Sequence, residues 1–195
     1  MTIGAPRVRY HRTDIVERAL ELLDDYGLAD LSMRRLAGEL GVQPSALYHH
    51  FDSKQVLLAA VAEEILARGA GPVTAAAWDE AAVQVCHQLR DALSAYRDGV
   101  EIVATVHAFG LGAAGPEITL RELLATAGLP ADLTRAGARA LLHFVFGSAA
   151  DDQLHLQASS AGAIADDPRQ HDDFRLGLEL LMDGLRTRRA QLTWR

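Results

Sequence analysis

The sequence predicts an all-α fold, and three observations carry that prediction. Leu and Ala dominate an apolar fraction of 49%, which favours helix, while β-branched residues are sparse and only 6% of residues are aromatic. Apolar residues recur at helical spacing along most of the chain. Glycine and proline fall between these periodic stretches, and no pair of alternating stretches reads as paired strands. At 195 residues the chain can bury a sizeable core as one compact unit or two small ones.

Residues 1–12 (MTIGAPRVRYHR) have no period and read as a flexible arm bearing Arg7, Arg9 and Arg12. Thr13 is placed to cap a first helix. Its broad apolar face holds Ile15, Val16, Ala19, Leu20, Leu22, Leu23 and Tyr26, with Asp14 near the positive end and Gly27 as the stop. Ser32 caps a second, short helix through Leu36, Ala37 and Leu40, broken by Gly41. Pro44 suits the first position of a third, which holds Leu47, Tyr48 and Phe51. Asp52 and Ser53 start a fourth, with Gln55 placed to complete a capping box from Asp52. Its face holds Val56, Leu57, Ala60, Val61 and Ile65, and Gly69, Gly71 and Pro72 stop it.

The remainder is also helical in period. Residues 78–96 place Val85, Cys86, Leu89, Ala92, Leu93 and Tyr96 on one side, and Arg97-Asp98-Gly99 is a turn signal. Residues 100–109 are apolar nearly all round, which predicts burial. Gly110, Gly112 and Gly115 make a flexible stretch before a short helix from Pro116 to about Gly128. Pro130 opens a long helix over 131–156, and residues 158–171 read as a mobile loop. A last helix covers about 172–192, with Phe174, Leu178, Leu181 and Leu185 as its stripe. The organisation expected is an N-terminal unit over 1–54 and a helical unit over 55–195.

Composition narrows the function classes. The net charge of −7 does not point to nucleic acid, yet residues 1–54 are near neutral, with seven basic residues against eight acidic ones. Cys86 is the only cysteine, so no intrachain disulfide can form, which suits a reducing compartment. The N-terminus lacks a signal-peptide core, and the apolar stretch 140–150 contains His143 and is too short for a membrane span. A soluble cytoplasmic protein is expected, with no membrane partner. His87, His107, His143, His155 and His171 contain no His-x-x-x-His pair, and no phosphate loop or Gly-x-Ser-x-Gly element occurs. No enzyme, metal or cofactor is expected.

Residues 32–50, SMRRLAGELGVQPSALYHH, have the form of a helix-turn-helix: a short helix, a glycine turn, a second helix. In such units the second helix enters the major groove. Gln43 and Ser45 can hydrogen-bond bases or phosphates, and Ala46 can touch a thymine methyl. Tyr48, His50 and Lys54 suit phosphate and sugar, and Arg34 can pair with guanine O6 and N7. Leu36, Leu40, Val42, Leu47 and Phe51 face the other way and hold the pair together. Periodicity alone leaves open that these are simply two amphipathic helices joined by a glycine.

The run 15–27, then 31–54 with Leu47-Tyr48-His49-His50-Phe51, resembles the DNA-binding domain of the tetracycline-repressor (TetR-type) family. Trp78, Arg97-Asp98-Gly99, His143-Phe144, Gly147, Asp152, Gln153, Phe174, Gly177 with the three residues after it, and Gly184-Leu185 continue the resemblance in order. It implies nine or ten helices, a homodimer, a palindromic double-stranded DNA operator and no catalysis. It implies DNA contacts at Arg34, Tyr48, His50 and Lys54, where residue types match. At Gln43, Pro44, Ser45, Ala46 and His49 the chain departs from the tetracycline repressor, which implies a different base preference.

The resemblance also locates a sensor site. Where the tetracycline repressor uses imidazoles to hold drug and magnesium and an amide to hold drug, this chain has Arg68-Gly69-Ala70, Val103 and Val85. Asp151 stands where an acidic residue of the partner subunit approaches the metal's water shell. Apolar replacements imply a drier pocket for a small organic inducer without magnesium. Val85, Leu89, Val103, Val106 and Leu142 would form its apolar wall; His107, Arg121, Arg135 and Arg139 are its polar candidates. A buried arginine wants a carboxylate or phosphate partner, so these would suit a ligand bearing an acid or a polar carbonyl. The long helix and the last one, with Gly177, Leu181 and Gly184, would form a four-helix bundle between two chains. The function implied is a repressor that leaves its operator on binding inducer. Two alternatives stay open: a ligand-binding or enzymatic bundle without DNA binding, and a regulator acting as activator.

Overall fold

The structure, a computed structural model, describes residues 10–164 and 172–193. Arg7, Arg9 and His171, and the predicted loop beyond residue 164, lie outside them. The described residues form nine helices: α1 (Arg12–Tyr26), α2 (Met33–Glu39), α3 (Pro44–Tyr48), α4 (Lys54–Gly69), α5 (Trp78–Ser94), α6 (Gly99–Ala108), α7 (Gly115–Thr126), α8 (Ala131–Ser160) and α9 (Asp172–Thr193). Among the described residues no helix is long and apolar enough to cross a membrane.

The start of α1 corrects the sequence reading. His11, not Thr13, is the N-cap: its backbone N–H donates to Asp14 Oδ2 at 2.7 Å. Arg12 therefore belongs to the helix rather than to an arm. Its guanidinium donates to the His50 carbonyl at 2.7 Å and lies 4.1 Å from the centre of the Phe51 ring, tying α1 to the end of α3. The N-cap of α4 is Ser53 rather than Asp52, with Oγ accepting from Val56 N–H at 3.2 Å. Ser32 caps α2 and Pro44 opens α3 as the sequence predicts. Helix α8 runs to Ser160, so residues 158–160 are helical rather than loop.

One apolar core runs through the chain. Phe51, Leu23, Leu36, Leu47 and Leu57 fill its N-terminal end, and α5, α6, α7 and α8 pack Cys86, Leu93, Val103, Leu120 and Leu142 at the other. Helix α4 bridges the two, packing on α1, α5 and α6. Phe174 of α9 stacks on Phe144 of α8 at 5.4 Å and meets His87 of α5 edge-on at 5.3 Å. Helices α6, α8 and the α1–α2 turn meet at Asp98, whose φ of 54° places it in the left-handed region just before α6. Its Oδ2 accepts from Leu28 N–H at 2.8 Å and its Oδ1 from Gln157 Nε2 at 2.6 Å. Beside it, Asp24 Oδ1 accepts from Arg97 N–H at 3.1 Å. Gly27, at φ 82°, closes α1 against this turn, and a Cβ there would meet Asp98 Oδ2 at 2.8 Å.

Candidate functional site: a nucleic-acid interface and a ligand cavity

The α2–α3 unit has the sharp turn a helix-turn-helix needs. Gly41 adopts φ 64°, and Val42 N–H donates back to the Ala37 carbonyl at 3.0 Å. Leu36, Ala37, Leu40 and Leu47 are buried, which turns the polar positions outward. Arg34, Gln43, Ser45, Tyr48 and His49 are exposed; Pro44, Ala46, His50 and Lys54 are half-buried at the rim. The two adjacent arginines divide their labour. Arg35 binds Asp30 at 2.7 Å and stacks over Tyr26, whereas Arg34 makes no ion pair among the described residues. A free guanidinium beside the turn can reach a phosphate or a guanine edge.

The second feature is a cavity of about 330 Å³ between the C-terminal half of α4, α5 and the start of α7. Its wall is mostly apolar: Leu66, Ala70, Val73, Val85, Leu89 and Ala92. Its polar groups are Glu63, Gln88 and Thr119. Gly69 lets α4 press against α5, since a Cβ there would lie 2.2 Å from Ala92 Cβ. Glu63 Oε1 accepts from Ala113 N–H at 2.6 Å, which fastens the α6–α7 loop to α4. Burial pushes the nearby Cys86 thiol up to about 12, so it stays protonated and unreactive.

The ligand residues expected from sequence separate into three groups. Val85 and Leu89 line the cavity. Val103, Val106 and Leu142 are buried in the core and do not line it. His107 is half-buried beside the α6–α7 loop, with Nε2 3.2 Å from Glu117 Oε2 and Nδ1 3.2 Å from the Ala113 carbonyl. Arg121, Arg135 and Arg139 are exposed, which corrects the expectation that they point into a pocket. Each helix turns its apolar side to the core, Leu120 and Leu124 on α7 and Ala138 and Leu142 on α8, and the guanidinium groups take the opposite side. Glu63, Gln88 and Thr119 were missed. The available signal was the row Ala59, Glu63, Ala67, Ala70, where one carboxylate interrupts small residues on a single helix face. Among the described residues no three His, Cys, Asp or Glu side chains gather as a metal set.

Comparison with known proteins finds relatives for both halves of the chain. Residues 15–61 match the model of the bacterial regulatory proteins of the tetR family, and residues 71–170 match that of the tetracyclin repressor-like C-terminal domain. The class C tetracycline repressor of Escherichia coli is 36% identical over 162 residues, covering 80% of this chain and 70% of that protein. The crystal structure of Mycobacterium smegmatis BioQ superposes with a TM-score of 0.84 at 41% identity, covering 91% of this chain and 98% of that one. BioQ with its natural double-stranded DNA operator gives 0.77 at 39% identity, with the same two shares of the chains. ActR of Streptomyces coelicolor in complex with actinorhodin gives 0.78 at 27% identity, covering 93% and 96%. A helix-turn-helix with an outward polar face, matched together with the C-terminal domain, places this chain in the tetR family of DNA-binding bacterial regulatory proteins.

Proposed function

We propose that this chain is a homodimeric repressor that holds a palindromic operator and releases it when a small organic molecule enters the α4–α5–α7 cavity. Residues 1–54 read DNA through Arg34, Gln43, Pro44, Ser45, Ala46, Tyr48, His49, His50 and Lys54; residues 55–195 bind the inducer and the second chain. The observation that carries this reading is the course of α4. It begins at Lys54, next to the helix-turn-helix, and ends at Gly69, in the cavity wall. A molecule in the cavity thus touches the helix on which the reading unit is mounted. Release requires the inducer to favour the α4 position that spoils the spacing of the two recognition helices; tight binding to both positions would shift nothing. The apolar wall supports an organic inducer that needs no magnesium.

A second copy fits the outer face of α8 and α9. Leu176 and Leu180 are exposed on α9, the latter 74%, and Leu154 is exposed on α8. Gly177 and Leu181 do not belong to that seam: Gly177 makes room for the Phe144 ring of the same chain, and Leu181 packs on the core. Leu180→Asp is therefore expected to give a monomer in light scattering with weakened operator binding, while the helical content stays unchanged. A dimeric Leu180→Asp protein with parental affinity overturns this seam.

Operator titration by fluorescence anisotropy tests the DNA contacts. Lys54→Ala is expected to weaken binding to every duplex and to lower the salt slope by about one. Tyr48→Phe is expected to weaken binding uniformly. Arg34→Ala is expected to relax base preference at one position, at about 1–3 kcal/mol. Parental binding by all three variants contradicts the assignment.

A further inference from the structure

We infer that the cavity selects an apolar molecule with a cationic, hydrogen-bond-donating head, such as an amine or amidine, and discriminates against carboxylates. This deepens the reading of the cavity as the inducer site and rests on it. Among the described residues no Lys, Arg or His lines the cavity, and Glu63 is the one charged group that does. That carboxylate uses Oε1 to accept from Ala113 N–H at 2.6 Å, and its Oε2 takes no protein donor among the described residues. Gln88 offers the same polarity, because its Nε2 donates to the Pro72 carbonyl at 3.4 Å and leaves its own carbonyl oxygen as an acceptor. The one charge at hand is thus an acceptor, and the donors beside it, the second Gln88 N–H and the Thr119 hydroxyl, are neutral.

The basic side chains on the flanking helices do not line the cavity. Arg68 binds Glu17 and Glu64 on the outer side of α4. His107 faces Glu117 and the Ala113 carbonyl, and Arg121 is exposed. A ligand carboxylate entering the cavity would meet the like charge of Glu63, itself exposed to solvent, with no counter-charge in the described lining. An ammonium or amidinium would give Glu63 Oε2 a charge-assisted hydrogen bond while Leu66, Val85 and Leu89 take the apolar body. Glu63 also sits on α4 and holds the α6–α7 loop, so a cation drawn to it bears on both elements.

The test is calorimetry with three matched probes: 4-phenylbutylamine, 4-phenylbutan-1-ol and 4-phenylbutanoate. The amine is expected to bind about tenfold more tightly than the alcohol, and the acid more weakly than either. Glu63→Gln keeps a carbonyl for Ala113 N–H, and the amine's advantage over the alcohol is expected to vanish. Thr119→Lys, which adds a cation to the cavity lining, is expected to raise affinity for the acid at the amine's expense. Equal binding of amine and acid, an amine preference that survives Glu63→Gln, or no saturable amine binding up to millimolar concentration overturns the inference. Operator release is read separately by anisotropy. Glu63-dependent amine binding that leaves operator affinity unchanged upholds this selectivity and defeats the inducer-site reading. Release by amine and acid alike does the reverse.

Discussion

Phe51→Ala is expected to abolish operator binding and to cost about 3–5 kcal/mol of stability, the range for emptying an aromatic site in a core. Phe51 is fully buried where α3 hands over to α4. Its backbone N–H donates to the Leu47 carbonyl at 2.9 Å, and the Arg12 guanidinium covers its ring while bonding the neighbouring His50 carbonyl. Truncation removes the contact surface of α1, α3 and α4 together, so the three cannot collapse onto the gap independently. A domain has about 5–15 kcal/mol in hand, so the reading unit loses much of its margin. Urea denaturation with an operator titration checks this. A loss under about 1 kcal/mol with parental affinity would show that the α3–α4 turn does not depend on the ring.

Gly69→Ala is expected to displace the last turn of α4 and to cost about 1–3 kcal/mol, the usual range for overpacking. The new Cβ would lie 2.2 Å from Ala92 Cβ and 2.9 Å from Ala92 Cα. Neither atom is a flexible side-chain tip, so the helices themselves must part. Because both residues line the cavity, its shape changes as well. Ala92→Gly is the natural compensating change. Alone it costs about 1 kcal/mol, as glycine does within a helix. Together the two substitutions are expected to be less destabilising than their sum by about 0.5–3 kcal/mol, the coupling typical of residues in contact. Strict additivity in thermal and urea unfolding would mean that α4 and α5 do not meet there in solution.

The helices were legible in the sequence because glycine and proline mark nearly every boundary, from Gly27 and Gly41 to Pro130. Caps slipped where neighbouring polar residues compete. Asp14 reaches back to His11, and Ser53 outcompetes Asp52, which only side-chain geometry decides. The end of α8 slipped because Ala158, Ser159 and Ser160 neither break nor favour a helix strongly, and the first breaker is Gly162. The outward polar face of the helix-turn-helix was readable because the motif is contiguous and local. The cavity was less so. Helix α8 is apolar around most of its girth, so periodicity could not say which side Arg135 and Arg139 take. Glu63 stays exposed on α4, and periodicity could not say that it borders the space between α4, α5 and α7.

The junction at Asp98 bears on how reading units could be exchanged among relatives. Leu28 and Arg97 enter it through main-chain N–H groups, which every residue but proline possesses. These two hydrogen bonds therefore do not depend on the side chains, although Leu28 packs on the core and the Arg97 guanidinium lies against Gly27. They do depend on the acceptors: Asp24 comes with the N-terminal piece and Asp98 with the C-terminal one. Gly27 is constrained too, because any β-carbon there collides with Asp98 Oδ2. A chimaera cut between α3 and α4 must therefore bring Asp24 and Gly27 to a C-terminal piece that supplies Asp98, along with the Glu17–Arg68 ion pair that crosses the same cut.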